Sequence, residues 1–163
     1  MNDTSATVGV VPIARAATMS GLEFLQGLLA GTLPRPPIAV PMRFVLVAAE
    51  RGRAVFEGET DESLLNPFGT VHGGWAMTLL DSAMSCAVLS ALPAGQAQTT
   101  VEVKINLVRP IFPATGRVRV EGALIHQGRQ LATAEGRLLD AEGRLLAHGT
   151  TTCMIFELAR AGA

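Results

Sequence analysis

The stretch Val71-His72-Gly73-Gly74-Trp75-Ala76-Met77-Thr78-Leu79-Leu80-Asp81-Ser82-Ala83-Met84-Ser85-Cys86-Ala87-Val88-Leu89-Ser90-Ala91 sets the terms for the rest of the chain. It is built of Ala, Leu, Met and small residues, and no proline intervenes before Pro93. Those are helix-forming choices and predict a helix over residues 71–91. Apolar side chains fall on nearly every side of it, which predicts burial on nearly every side. Such a helix needs something wrapped around it. One charge interrupts it, Asp81. A buried unpaired carboxylate is costly, so Asp81 must be paired, protonated or wet.

The flanking sequence supplies the wrapper. After the helix, Thr99 to Val108 alternates, with Val101, Val103, Ile105 and Leu107 predicted inward and Glu102, Lys104 and Asn106 outward. Gly116 to Ile125 sets Val118, Val120 and Leu124 against Arg117, Arg119 and Glu121. Turn signals at Gln127-Gly128-Arg129 and Ala141-Glu142-Gly143 separate these from Gln130 to Asp140 and Arg144 to Phe156, for a meander of four strands. Before the helix, Ile38 to Ala49 and Arg53 to Thr60 read as strands around a turn at Gly52, and residues 61–69 as a loop. Ser20 with Glu23 three residues later is a capping box for a helix through Leu29, which ends at Gly31 and the proline run from Pro34. The fold class expected is α+β, an antiparallel sheet around one central helix. One domain spans 20–157, between an arm at 1–19 and a tail at 158–163.

Composition narrows the function. A net charge of −1, with no Lys/Arg run, disfavours nucleic acid or an anionic membrane as the main partner. The N-terminus lacks an apolar signal core, and Asp81 interrupts the longest apolar segment, so a cytoplasmic protein is expected. Cys86 and Cys153 read as buried free thiols without metal-ligand spacing, and His72, His126 and His148 are scattered; no metal site is expected. There is no Gly-x-Ser-x-Gly elbow.

The chemistry concentrates between Asn66 and Asp81. His72-Gly73-Gly74 places small residues where free backbone N–H groups leave the helix N-terminus, a position suited to stabilising an oxyanion. Asp81 is either a catalytic carboxylate or an Asp that only fixes packing through neighbouring hydroxyls. Gly73 and Asp81 are eight residues apart, about 12 Å along the axis at ~1.5 Å per residue. One carbonyl carbon does not fit against both within one helix. If both act on one substrate, the two groups come from two antiparallel subunits, which predicts a dimer with shared sites.

The pattern Asn66-x-x-Gly69-x-x-His72-Gly73-Gly74 followed by Asp81 resembles the hotdog thioesterases of the phenylacetate-degradation (PaaI-like) type, related to 4-hydroxybenzoyl-CoA thioesterase and acyl-CoA thioesterases. The resemblance runs from about Gly21 to Phe156 and includes Thr99 to Asn106 and Arg109-Pro110. It implies hydrolysis of an acyl- or aryl-CoA thioester, with coenzyme A part of the substrate and no cofactor. Asp81 would be nucleophile or general base, and the Gly73 N–H would polarise the thioester carbonyl. Asn66 would orient thioester or water, His72 would support the loop and contact the thioester region, and Thr100 would help hold the water. It further implies a homodimer in which Asp81 faces the partner's Gly73, commonly a dimer of dimers. For the substrate, Gly74 accompanies Gly73; Arg109, His126, Gly128 and Arg129 are candidates for coenzyme A, and Phe68, Trp75 and Met77 each read either as acyl-pocket wall or as core. Two other functions remain open on the same fold: a dehydratase or hydratase of acyl thioesters, and a non-catalytic acyl-CoA-binding protein.

Overall fold

The computed structural model describes residues 7–158. Its central element is helix α3, Gly73–Leu89, two residues shorter at each end than expected. Two short helices precede it, α1 at Ile13–Ala16 and α2 at Gly21–Leu29. Six strands accompany it: β1 Phe44–Glu50, β2 Arg53–Glu59, β3 Gln96–Leu107, β4 Arg117–Gln127, β5 Leu131–Leu139 and β6 Leu145–Glu157. They form one antiparallel sheet in the order β1-β2-β4-β5-β6-β3. That is the arrangement expected in class, a sheet curled around one helix.

The connectivity corrects the simple meander. β4, β5 and β6 follow one another, but β3 pairs with β6 rather than β4. The reason is that β4 already has β2 on its other side, so β3 takes the free edge of β6. Strand β1 also starts later than expected. Residues 37–39 form a 3₁₀ turn, and Pro41 has no N–H to offer a ladder, so pairing begins at Phe44. Residues 7–19, expected without regular structure, carry α1 and a bridge between Val8 and Arg35. The rest of the arm and residues 159–163 of the tail lie outside the described residues.

The capping box of α2 is present as expected: Glu23 N–H donates to Ser20 Oγ and Ser20 N–H to Glu23 Oε2 at 2.8 Å. The sheet closes on α3 because two paired strand residues are glycines. A Cβ on Gly122 would overlap the Ala83 carbonyl, and one on Gly136 would lie 2.8 Å from Met84 Cγ. Bare backbone at both positions lets the helix sit directly on β4 and β5. The core is the resulting layer: Trp75, Leu79, Leu80, Met84 and Val88 against Phe56, Val118, Val120, Leu138 and Ile155.

The helix is not buried on every side in the single chain. Its buried residues are Trp75, Ala76, Leu79, Leu80, Ala83, Met84, Ala87 and Val88, the i, i+1, i+4, i+5 rows of one face. The other face, Met77, Thr78, Asp81, Ser82 and Ser85, stays half-buried or exposed beside β3. No helix among the described residues is long and apolar enough to cross a membrane.

Candidate active site

Two groups of candidate residues are separated along α3. At its start, His72 is the N-cap, and its Nδ1 accepts from the Gly74 N–H at 2.9 Å. A ring nitrogen that accepts carries no proton, so the imidazole hydrogen is on Nε2. His72 therefore consumes the Gly74 amide. No acceptor for the Gly73 N–H is present among the described residues, and Gly73 borders a cavity of about 270 Å³. Val71, Ala76, Leu107 and Ile111 give that cavity an apolar wall; Asn66, Thr70 and Arg109 give it a polar rim. A free first-turn amide at a helix start is a donor for developing negative charge. Leu107 leans over it: a Cβ on Gly73 would lie 2.6 Å from Leu107 Cδ1.

The loop before the helix is stapled by Asn66. Its Oδ1 accepts from the N–H groups of Phe68 at 2.9 Å and Thr70 at 3.3 Å, while its Nδ2 donates to Thr70 Oγ1 at 2.7 Å. Asn66 thus spends both ends of its amide on the loop and still lines the cavity.

In the middle of α3, Thr100 Oγ1 donates to Asp81 Oδ1 at 2.9 Å. No partner for Asp81 Oδ2 is present among the described residues, and the carboxylate is only half-buried. Strict alternation from Val101 would have turned Thr100 outward with Glu102. A β-bulge prevents this: Thr100 pairs with Cys153 and Glu102 with Thr152, so Val101 is the extra residue. The bulge turns Thr100 toward the helix and leaves Val101 54% exposed, which corrects its expected inward placement. Nothing in the alternation of residues signals the bulge. Gln98, also on the helix side of β3, was missed in the sequence; its Nε2 donates to the Ser85 carbonyl and its buried Oε1 has no partner among the described residues.

The thiols near Asp81 are not poised to react. Burial, with the Asp81 charge adding to it, pushes Cys86 up to about 12, and burial also pushes Cys153 up. A thiol with so high a pKa stays protonated at neutral pH and is a poor nucleophile.

Several substrate candidates are placed elsewhere. Trp75 is buried, with its indole N–H donating to the Met42 carbonyl at 2.7 Å; it is a core residue and not a pocket wall. Phe68 is 93% exposed on the tip of the stapled loop, outside the cavity lining. Met77 lies on the open face of α3. Arg109 lines the cavity, its guanidinium donating to the Leu145 carbonyl. His126, Gly128 and Arg129 sit on the β4–β5 hairpin, where the Gly128 N–H donates to Leu131. Gln127 of that hairpin lines a second hollow with Ser90 to Pro93, at the opposite end of α3 from Gly73. Within one chain the candidates for coenzyme A are therefore split. No group of three or more His, Cys, Asp or Glu side chains converges among the described residues.

Comparison with known proteins fits this geometry. A family model described as "Thioesterase superfamily" matches residues 68–147. Human acyl-coenzyme A thioesterase 13 is 30% identical over 111 residues, covering 68% of this chain and 78% of its own. A phenylacetic acid degradation-related protein of Ralstonia eutropha JMP134 is 28% identical with a TM-score of 0.73, covering 80% of this chain and 98% of its own. The PaaI protein of E. coli superimposes with a TM-score of 0.74 over 86% of this chain and 99% of its own; at 19% identity it speaks for the fold alone.

Proposed function

The chain belongs to the thioesterase superfamily and is a thioester hydrolase of the hotdog fold, similar to the PaaI-like enzymes; on that premise we propose that it hydrolyses an acyl- or aryl-coenzyme A thioester to free acid and coenzyme A, in a site shared by two copies of the chain. The observation that carries this reading is the pairing of an accessible carboxylate, held by the Thr100 hydroxyl, with a free Gly73 amide on a cavity, eight residues away on the same helix. The helix rise puts about 12 Å between them. Each suits one half of the reaction, and one copy does not bring them together.

In the dimer, Asp81 of one copy faces the thioester held at the partner's Gly73. Thr100 fixes Asp81 Oδ1, so Oδ2 is left to attack the carbonyl or to take a proton from water. The oxygen of the tetrahedral intermediate lies against the Gly73 N–H, in a site that Leu107 shields from solvent. The thiolate leaves without a metal. Asn66 and His72 act by holding the loop and the helix start that aim the amide, rather than by exchanging protons. Exposed Leu131 and Met154, opposite each other on the outer face of the sheet, support a second interface and a dimer of dimers. The free Cys86 and Cys153 suit a reducing, cytoplasmic compartment.

The test is release of free coenzyme A thiol from phenylacetyl-, hydroxybenzoyl-, short- and medium-chain acyl-CoAs, with Asp81→Asn alongside. Release that collapses in the variant supports the assignment and ranks the acyl groups. Unchanged release in Asp81→Asn rejects the carboxylate's role. Absence of release from every thioester, in a folded dimer, moves the reading to an acyl-CoA-binding protein. A single turnover in ¹⁸O-water separates the two roles of Asp81. A nucleophilic carboxylate whose anhydride water opens at the aspartyl carbon gives unlabelled acid first and leaves ¹⁸O in Asp81, whereas a general base gives labelled acid at once and an unlabelled Asp81.

A further inference from the structure

Two side chains tie β3 to α3 among the described residues, and only one of them reaches the candidate catalytic carboxylate. Thr100 Oγ1 donates to Asp81 Oδ1 at 2.9 Å, and Gln98 Nε2 donates to the Ser85 carbonyl at 3.2 Å. The two tethers are matched in spacing along both elements. Two residues of a strand span about 6.6 Å at ~3.3 Å each, and four residues of a helix span about 6 Å at ~1.5 Å each. β3 therefore runs antiparallel to α3 here, and its two side chains meet one helical row a turn apart.

The Gln98 tether comes at a cost. Its Oε1 is buried and has no partner among the described residues. The amide cannot turn over to relieve this, because Oε1 would then face the Ser85 carbonyl, acceptor against acceptor. A buried acceptor left without a donor is destabilising. Leucine or methionine would fill much the same space with no polar atom to satisfy, so packing alone does not account for a glutamine here. What neither of them could do is donate to α3.

The sheet gives β3 little help at this point. Within the chain it has a neighbouring strand on one side only, β6, and its pairing to β6 shifts at Val101, immediately after Thr100. A bulge interrupts the ladder and bends the strand. The backbone that carries Thr100 is thus held least by the sheet where its hydroxyl has to be held best. One hydrogen bond fixes a distance but leaves the strand free to pivot about it. A second bond, one helical turn away, fixes the direction.

We infer that Gln98 is a positioning residue for Asp81: by holding β3 to the Ser85 carbonyl it sets the Thr100 hydroxyl against Oδ1 and so aims Oδ2 at the thioester. The inference rests on the roles proposed for Asp81 and Thr100 above. Gln98 acts through Thr100; it touches no reacting atom and exchanges no proton. Small misplacements of a reacting group lower the rate steeply. Loss of the tether is therefore felt in kcat rather than in KM.

Steady-state release of coenzyme A thiol by the full chain, from the acyl-CoA it turns over fastest, tests this with thermal unfolding of each variant alongside. Gln98→Met and Gln98→Leu remove the donor and the idle acceptor together. Each should lower kcat roughly three- to tenfold at unchanged KM, while the unfolding midpoint stays the same or rises. A residue that only supports the fold would move both downward together. In the Thr100→Val background, Gln98→Met should cost nothing further, because the hydroxyl it serves is gone. Unchanged kcat in both variants overturns the inference. So does a midpoint that falls with kcat, a variant that fails to fold, or an equal loss in the Thr100→Val background. Asp81→Asn, run in the same series, separates these results from failure of the wider reading. No release from wild type, or unchanged release from Asp81→Asn, overturns the proposed function and the inference with it; any of the other negative results overturns the inference alone.

Discussion

The two faces of α3 share one helix and differ in every other respect. One face carries Trp75, Ala76, Leu79, Leu80, Ala83, Met84, Ala87 and Val88, closed under the sheet. The other carries Met77, Thr78, Asp81, Ser82 and Ser85, open beside an edge strand. Among the residues of the closed face itself, the one polar side-chain group is the indole N–H of Trp75, which has its own acceptor. The open face has a carboxylate with one oxygen held and one available. Stability is concentrated on the first face, and the proposed chemistry belongs to the second. A helix at the centre of a sheet can serve both because the two rows are only about 100° apart per residue step, so a neighbour in sequence can belong to the opposite role.

Mutations should separate the faces cleanly. The largest effect is expected from Asp81→Asn, which should lower kcat about 10²- to 10⁴-fold by removing the acid–base or nucleophilic group, with the midpoint of thermal unfolding moving by only a few degrees. A matching collapse in stability would show that Asp81 is a packing residue. Next is Met84→Ala on the closed face. Loss of a fully buried side chain should cost about 2–5 kcal/mol in denaturant unfolding, with kcat of the folded fraction nearly unchanged. If kcat falls as far as stability, the two faces are coupled and the division fails. Thr100→Val should be intermediate and confined to catalysis. Deleting a hydrogen bond to a charged group removes about 1.5–3 kcal/mol, so kcat should drop roughly tenfold or more at nearly unchanged KM. The smallest effect is Ser20→Ala. It breaks the capping box of α2, beside the hollow at the far end of α3 from Gly73, and should cost about 1 kcal/mol of stability with kcat unchanged.

The parts of this protein that were legible from its sequence are those that local chemistry controls. Ser20 and Glu23 announce a capped helix because both bonds are made within one turn. The Ala/Leu/Met run announces α3, and the alternation Val118, Val120 against Arg117, Arg119 announces the two sides of β4, inward and outward as observed. The Asn66 to Asp81 pattern marked the candidate site. Three things were not legible. The placement of β3 beside β6 was hidden because alternation reports which side faces the core, not which strand lies alongside. The bulge at Val101 was hidden because an extra residue leaves composition and period almost intact, yet it decides that Thr100 meets Asp81. The place of Trp75 stayed open between core and pocket wall because an aromatic residue beside a glycine pair suits both; its burial and the Met42 carbonyl decide for the core.

By itself the sequence determined a single wrapped helix, the capping box of the shorter helix before it, the chain of alternating strands and a carboxylate eight residues from a glycine amide. Those follow from propensity and from the fixed rise of a helix, which need no knowledge of distant contacts. Tertiary structure alone decided which face of α3 is left open, which strand forms the open edge, and how Thr100 turns inward. Each of those depends on residues far apart in the chain, such as Thr100 against Cys153 and Gly122 against Ala83, where packing rather than local preference sets the outcome.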